Sequence, residues 1–408
     1  SRRIAVPLTL SLTSAAASIM TAEILLRAFP LILPDNALAL APAGVRARAV
    51  ALDARRAEEG APRRFHFGQR RSDYVIEGLR RRFAPNLSGV MATEDPDDPL
   101  APVTIDEAGY RNPPGLYSAT PAFDIVLLGD SQVSGTSRLT IADFLRRLSG
   151  LNVYSLGDPG GAPQHWLLNF QAFQTQKDAR LVIANFYEGN DTWDAILFES
   201  VVERRISPEA YFDRSIPDVG ATGDRWSARL QRTPQTSVLY RIATGARRLL
   251  SPGPSASALI GGSEAQFRLL HAAPPLDERL DGALERIEAT LMGLKRACGE
   301  PPDSKCVVVL SYIASNATVY GDRFGAVANA PGVVTLYTES YRRQEQLSMR
   351  LAEMCRHAGV RYVDVTPALR ERGKEELLYG GIHFNQSGYR TYAELLLGAL
   401  RDQRLGVD

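Results

Sequence analysis

No charge of one sign prevails in this chain: its 408 residues carry 47 Lys and Arg against 46 Asp and Glu, for a formal net charge of +1. The arginine clusters at 55–56, 63–64, 70–71, 80–82, 204–205 and 247–248 are dispersed among acids. No basic face is therefore offered to a phosphate backbone, and nucleic acid is excluded as a partner. Cysteine is scarce too. Cys298, Cys306 and Cys355 form no CxxC or Cys/His spacing, so no zinc site is expected, nor any other metal or cofactor. Cys298 and Cys306 lie eight apart across a turn-rich loop. They read equally as a disulfide in an oxidising compartment, leaving Cys355 over, or as free, partly buried thiols. No internal repeat is visible.

What is present is an ordinary folded composition, 45% hydrophobic and 23% charged, long enough for one large α/β domain with additions or for two modest domains. Ser1-Arg2-Arg3 precedes an uncharged stretch, Ile4 to Ala22, whose 19 residues just span a bilayer core as a helix. The arginines place the N-terminus in the cytoplasm and everything after residue 35 outside, so residues 1–35 are expected to be a single-pass anchor in the inner membrane. The bilayer, through residues 4–22, and membrane proteins beside it are the expected partners. Two readings compete: a signal peptide cleaved near Ser14-Ala15-Ala16-Ala17-Ser18, and a buried amphipathic helix. The uncleaved anchor is preferred because apolar character resumes in Ile24-Leu25-Leu26 and Phe29-Pro30-Leu31-Ile32-Leu33.

Residues 36–121 lack sustained periodicity and read as a spacer that packs against a core rather than a domain of its own. From Phe123 onward, apolar runs at 125–128, 151–156, 181–187, 306–312 and 360–365 are bounded by turn residues. Helical stretches fall at Thr140 to Leu148, Gln164 to Gln174, Leu336 to His357 and Ser387 to Arg401. This alternation predicts an α/β domain over 122–408 with a parallel sheet covered on both faces. Residues 194–295 exceed what a crossover needs and read as an insertion or lid, with a helix from Leu276 to Ala297.

In open parallel sheets ligands bind beyond the carboxyl ends of the strands. Three of these exits carry Gly129-Asp130-Ser131, then Ser155-Leu156-Gly157-Asp158-Pro159-Gly160-Gly161, then Tyr187-Glu188-Gly189-Asn190-Asp191, and His383 precedes the last helix. A serine at a strand-to-helix turn can act as nucleophile with a neutral histidine as its base. Taken singly, each residue has a plainer reading as a helix cap, a turn or a core residue.

The ordered set resembles the SGNH, or GDSL, hydrolase superfamily over about 123–193 and 305–402. The resemblance implies a three-layer α/β/α, flavodoxin-like fold in which Ser131 and His383 are catalytic and Ser131, Gly160 and Asn190 form the oxyanion hole, with Gly157 as fallback for Gly160. His165 is expected to line the substrate pocket. The family's Asp, three or in some branches two residues before the histidine, is missing, since Gly380 and Gly381 stand there. Either a Ser-His dyad or another acceptor is then needed, and Glu376, Glu375 and Asp364 are the candidates by proximity in sequence.

The chain also resembles, more loosely, membrane-anchored bacterial SGNH proteins, including the SGNH-like proteins of alginate O-acetylation. The residues concerned are Asp106-Glu107-Ala108-Gly109-Tyr110-Arg111-Asn112-Pro113, Tyr187-Glu188-Gly189-Asn190-Asp191 and Val319-Tyr320-Gly321-Asp322. That implies an esterase or O-acyltransferase acting on acyl esters of cell-envelope glycans through an acyl-Ser131 intermediate. The alternatives are a lipid-directed esterase and a catalytically degenerate domain serving as a binding subunit of a membrane assembly.

Overall fold

A computed structural model of the chain describes residues 74–93, 100–203, 256–267, 273–299, 305–323 and 331–407, with scattered positions elsewhere. Two compact units are present, Ser1–Arg70 with Ile216–Gly253 and Arg71–Ser215 with Pro254–Asp408. Residues 71–121 thus share a unit with the sheet that follows them. The stretch from Ile4 to Ala22 falls outside the described residues apart from Thr21. Among the described residues no helix is long and apolar enough to cross a membrane.

The second unit is built on five parallel strands: β1 (Ala122–Leu128), β2 (Val153–Ser155), β3 (Asp178–Tyr187), β4 (Val307–Ile313) and β5 (Arg361–Asp364). Their spatial order is β5-β4-β3-β1-β2, the flavodoxin-like 2-1-3-4-5 arrangement read from the other edge. Each predicted apolar run overlaps one strand. The reason is burial on both faces: Ile125 to Leu128 and Val182 to Phe186 are all at or below 1% exposure, so no polar alternation is needed.

Besides the short helix Leu116–Ala119, the described helices are α1 (Ser131–Ser134), α2 (Ile141–Ser149), α3 (Pro163–Gln174), α4 (Asp191–Val202), α5 (Glu278–Cys298), α6 (Asn316–Tyr320), α7 (Pro331–Ala358), α8 (Thr366–Arg372) and α9 (Gln386–Asp402). Helices α2 and α9 pack together, and α5 packs with α3, α4 and α7, giving two helical layers about the sheet. Caps set where they begin. Thr140 and Asp143 form a reciprocal capping box on α2, and the Asn385 side chain accepts from the Gly388 N–H to open α9.

Two segments hold structure that the sequence reading did not place. The supposed spacer contains a hairpin, Tyr74–Glu77 with Arg80–Phe83, and an antiparallel pair, Ser88–Ala92 with Leu100–Thr104. The insertion is also smaller than 194–295. Helices α4 and α5 lie at its two ends, and α5 buries Leu280, Leu284, Ile287, Leu291 and Leu294 in the main core. Between them a hairpin, Ala256–Ile260 with Ser263–Phe267, is described, and most of the rest lies outside the described residues. Cys298 and Cys306 are joined by a disulfide between the end of α5 and the start of β4. Cys355 is buried, and burial pushes its thiol up to about 12, which leaves it unreactive.

Candidate active site

The strand order reverses between β1 and β3, and the crevice beyond their carboxyl ends is where such sheets bind ligands. Ser131 opens α1 immediately after β1, and Asn190 caps α4 after β3. His383 arrives from the loop before α9. Its Nε2 lies 2.8 Å from the Ser131 Oγ, across 252 residues of sequence. A second, longer contact runs from the Ser131 hydroxyl to Asp130 Oδ2 at 3.3 Å. Asp130 is otherwise a helix cap, accepting from the Gln132 N–H at 2.8 Å. Both Ser131 and His383 are partly exposed.

Three groups from other elements hold the histidine's loop by its backbone. Asn316 Nδ2 donates to the Gly381 carbonyl at 2.7 Å, while Gln132 Nε2 and the Tyr187 hydroxyl donate to the Ile382 carbonyl at 2.9 and 3.0 Å. A bridge between Tyr379 and Phe384 closes the turn, with the Gly380 N–H donating to the His383 carbonyl at 3.1 Å. The three proposed orienting acids are placed elsewhere. Asp364 accepts from Thr366 N, Ser348 Oγ and Gln344 Nε2, Glu376 accepts from Ser387 Oγ, and the Glu375 side chain is exposed. None of the three is hydrogen-bonded to His383. Fixing both carbonyl-bearing residues before His383 limits where its ring can swing. Replacing Tyr187 with Phe removes one of the two donors to Ile382 and is expected to lower kcat about tenfold with KM little changed, as steady-state kinetics on an activated ester would read.

The candidate oxyanion donors lie on three loops. Among the described residues, neither the Ser131 N–H nor the Gly160 N–H donates to a protein acceptor. The Asn190 carboxamide is oriented by its bond to Asp194 Oδ2 at 2.7 Å, which leaves its second N–H. Gly157 has another task. A Cβ there would sit 2.4 Å from the Ser134 nitrogen, and its own N–H meets Ser155 Oγ at 3.3 Å, so it lets the loop after β2 pack against α1. Gly160, at φ 74°, sits in the left-handed region that glycine adopts at no steric cost.

The loop bearing Gly160 is clamped from the hairpin that sequence reading missed. Arg81 donates to Asp158 Oδ1 from Nε at 2.9 Å and from Nη2 at 2.7 Å, and also donates to the Pro159 carbonyl. Both side chains are nearly inaccessible, at 3% and 2% exposure. Arg111 acts similarly beneath the Ser131 turn, donating to the carbonyls of Ser134, Gly135 and Ser137 at 3.1, 2.6 and 2.5 Å. Beside it Asp106 gathers the Tyr154 hydroxyl, Asn112 Nδ2 and two backbone N–H groups, although burial still raises its carboxyl pKa. Asn112 in turn pairs its amide with both backbone groups of Ser155, standing in for a neighbouring strand at the edge of β2.

His165 is corrected. It is fully buried, its Nδ1 accepts from the Ala162 N–H at 2.8 Å as a cap of α3, and its ring packs edge-on against Phe198. Burial, with the Arg81 charge nearby, pushes its pKa down to about 3, so it stays neutral. It is a structural histidine. Asp191 is likewise a loop-former: it accepts from the Tyr187 N–H at 2.7 Å, and burial reinforced by Asp130 drives its carboxyl pKa well up.

No protein-family model matches this sequence, and no curated protein matches it. Among solved structures, the chain is similar to an extracellular lipase from Streptomyces rimosus, at 14% identity over 68% of this chain and 99% of that one, with a TM-score of 0.33. It is also similar to an alpha/beta hydrolase enzyme from the metagenome of Lake Arreo, Spain, at 15% identity over 70% and 97%, with a TM-score of 0.31. An acetyl xylan esterase from the rumen bacterium Butyrivibrio proteoclasticus is similar at 10% identity over 70% and 65%, again with a TM-score of 0.31.

Proposed function

We propose that the protein is a serine esterase or O-acyltransferase of the SGNH type, acting on acyl esters of cell-envelope glycans. The observation that carries this reading is the 2.8 Å contact between His383 Nε2 and Ser131 Oγ at the switch point of the sheet. In the first step His383 takes the hydroxyl proton as Ser131 Oγ attacks the ester carbonyl. The tetrahedral oxyanion is met by the N–H groups of Ser131 and Gly160 and the remaining N–H of Asn190. Collapse expels the alcohol, which receives its proton from the imidazolium, and leaves an acyl-Ser131. Attack by water then gives hydrolysis, and attack by a sugar hydroxyl gives transfer.

The expected setting is outside the cytoplasm, anchored by residues 4–22 in the inner membrane. The Arg2-Arg3 pair before the apolar stretch supports that orientation, and the Cys298–Cys306 disulfide fits an oxidising compartment.

The reading is tested by incubating the protein with a fluorophosphonate ester probe and mapping the adduct by mass spectrometry. A single adduct on Ser131 is expected, absent from both Ser131→Ala and acid-denatured protein. An intact protein that takes no label, or that takes it on another serine, sinks the proposal.

A further inference from the structure

A groove of about 200 Å³ lies beside the Asn190 turn. Glu188 and Gly189 line it where the chain leaves β3 and runs directly into Asn190, and Trp193 and Ile196 line it from the first turns of α4. Pro274, Pro275 and the first turn of α5 form the other side. The groove is level with the switch-point crevice. Helix α5 ends at Cys298, whose disulfide to Cys306 ties it to the start of β4, so its first turn stands at the opposite, carboxyl end of that strand. There the Glu188 N–H donates to the carbonyl of Ile313, the last residue of β4, at 3.2 Å.

The lining is mainly apolar, and its largest free surface is an indole. Trp193 is 58% exposed, whereas Trp166 is 2% exposed. An aromatic ring left in water three residues after a candidate oxyanion donor is surface for a guest to cover. The carboxylates beside it are already engaged. Glu188, buried, accepts from the Ser315 N–H at 2.7 Å and from the Tyr312 hydroxyl, and Asp277 Oδ1 caps α5 by accepting from the Arg279 and Leu280 N–H groups. Arg279 is exposed, with an apolar stem that can lie along a chain. The proline wall is preformed, since both rings fix their backbone and the Ala273 N–H donates to Ser340 Oγ at 2.7 Å.

The ester chemistry decides which half of a substrate reaches this groove. His383 Nε2 must come within hydrogen-bond reach of the leaving oxygen to protonate it, so the alcohol half lies on the His383 side. The acyl half points away from it. His383 precedes α9, which packs with α2 in one helical layer, whereas α4 and α5 belong to the other, and no residue of the 379–385 loop lines the groove.

We propose that this groove is the acyl subsite of the ester site and takes an unbranched aliphatic acyl chain longer than acetyl, laid against Trp193. The inference rests on the esterase reading above and names the acyl half of its substrate. It is tested by steady-state hydrolysis of 4-nitrophenyl acetate, butyrate and hexanoate by the whole protein. From acetate to hexanoate kcat/KM is expected to rise at least about tenfold, because each added methylene leaves water for the groove. Trp193→Ala is expected to lower the hexanoate-to-acetate ratio about tenfold, and Trp193→Phe to keep most of it. Trp193→Ala should melt with wild type, since the side chain it truncates is mostly in solvent. A wild type that cleaves acetate with no gain on longer chains overturns the subsite and leaves the esterase reading standing, as does a chain-length preference unaltered in Trp193→Ala. A wild type that cleaves none of the three esters and takes no fluorophosphonate on Ser131 fails the esterase reading itself, and the subsite with it.

Discussion

Ser131→Ala is expected to lower ester turnover by at least about a thousandfold while leaving the unfolding temperature within a degree or two of wild type. Among the described residues the Ser131 hydroxyl is hydrogen-bonded only to the His383 and Asp130 side chains, and Ser131 is partly exposed, so its loss removes the proposed nucleophile without opening a cavity in a packed core. His383→Ala should cost a comparable factor, because the hydroxyl then has no base at 2.8 Å. The double variant should be little worse than either single one, as expected for groups that act as one unit. Asn190→Ala should be milder, about 10² to 10³ in kcat, since it removes one oxyanion donor of three. Initial rates on an activated acetate ester decide the matter. Single losses that multiply in the double variant would mean that the two side chains do not share a proton.

This grading depends on a histidine held without an aspartate at the usual place, and the sequence shows only half of that. Gly380 and Gly381 announce the missing acid plainly. The compensating bonds cannot be read in one dimension. Gln132, Tyr187 and Asn316 reach the Gly381–Ile382 carbonyls from 250, 195 and 65 residues away, and each targets a backbone atom, which leaves no side-chain signature at the receiving end. By contrast the five strands were legible because double-sided burial writes each as a continuous apolar run. Helix α4 was read as insertion because Ala195-Ile196-Leu197-Phe198 is apolar all round and shows no helical period. The N-terminal strands escaped for the opposite reason. Arg80-Arg81-Arg82 reads as solvated charge, yet Arg81 points inward, where Asp158 and the Tyr74 ring, 4.6 Å from its guanidinium carbon, receive it.

That inward arginine leads to the largest expected effect on stability. Arg81→Met takes the paired cation from the Asp158 carboxylate in a site 2% exposed and a donor from the Pro159 carbonyl, so the fold should lose about 3–5 kcal/mol in a denaturant melt. Activity should fall as well. Gly160 follows Asp158 and Pro159 directly, and an ångström of slack in an oxyanion donor costs on the order of a hundredfold in rate. The two effects separate in Arg81→Met/Asp158→Leu. With both charges gone and the volume filled by apolar groups, most of the stability should return, because a buried pair is worth little more than well-packed hydrophobic residues. Turnover should stay low, since nothing then ties the Pro159 carbonyl to the hairpin and the Gly160 N–H has lost its aim. Stability and rate that recover together in the double variant would show that packing alone sets the loop. In that case the ion pair contributes only the cost of its own charges.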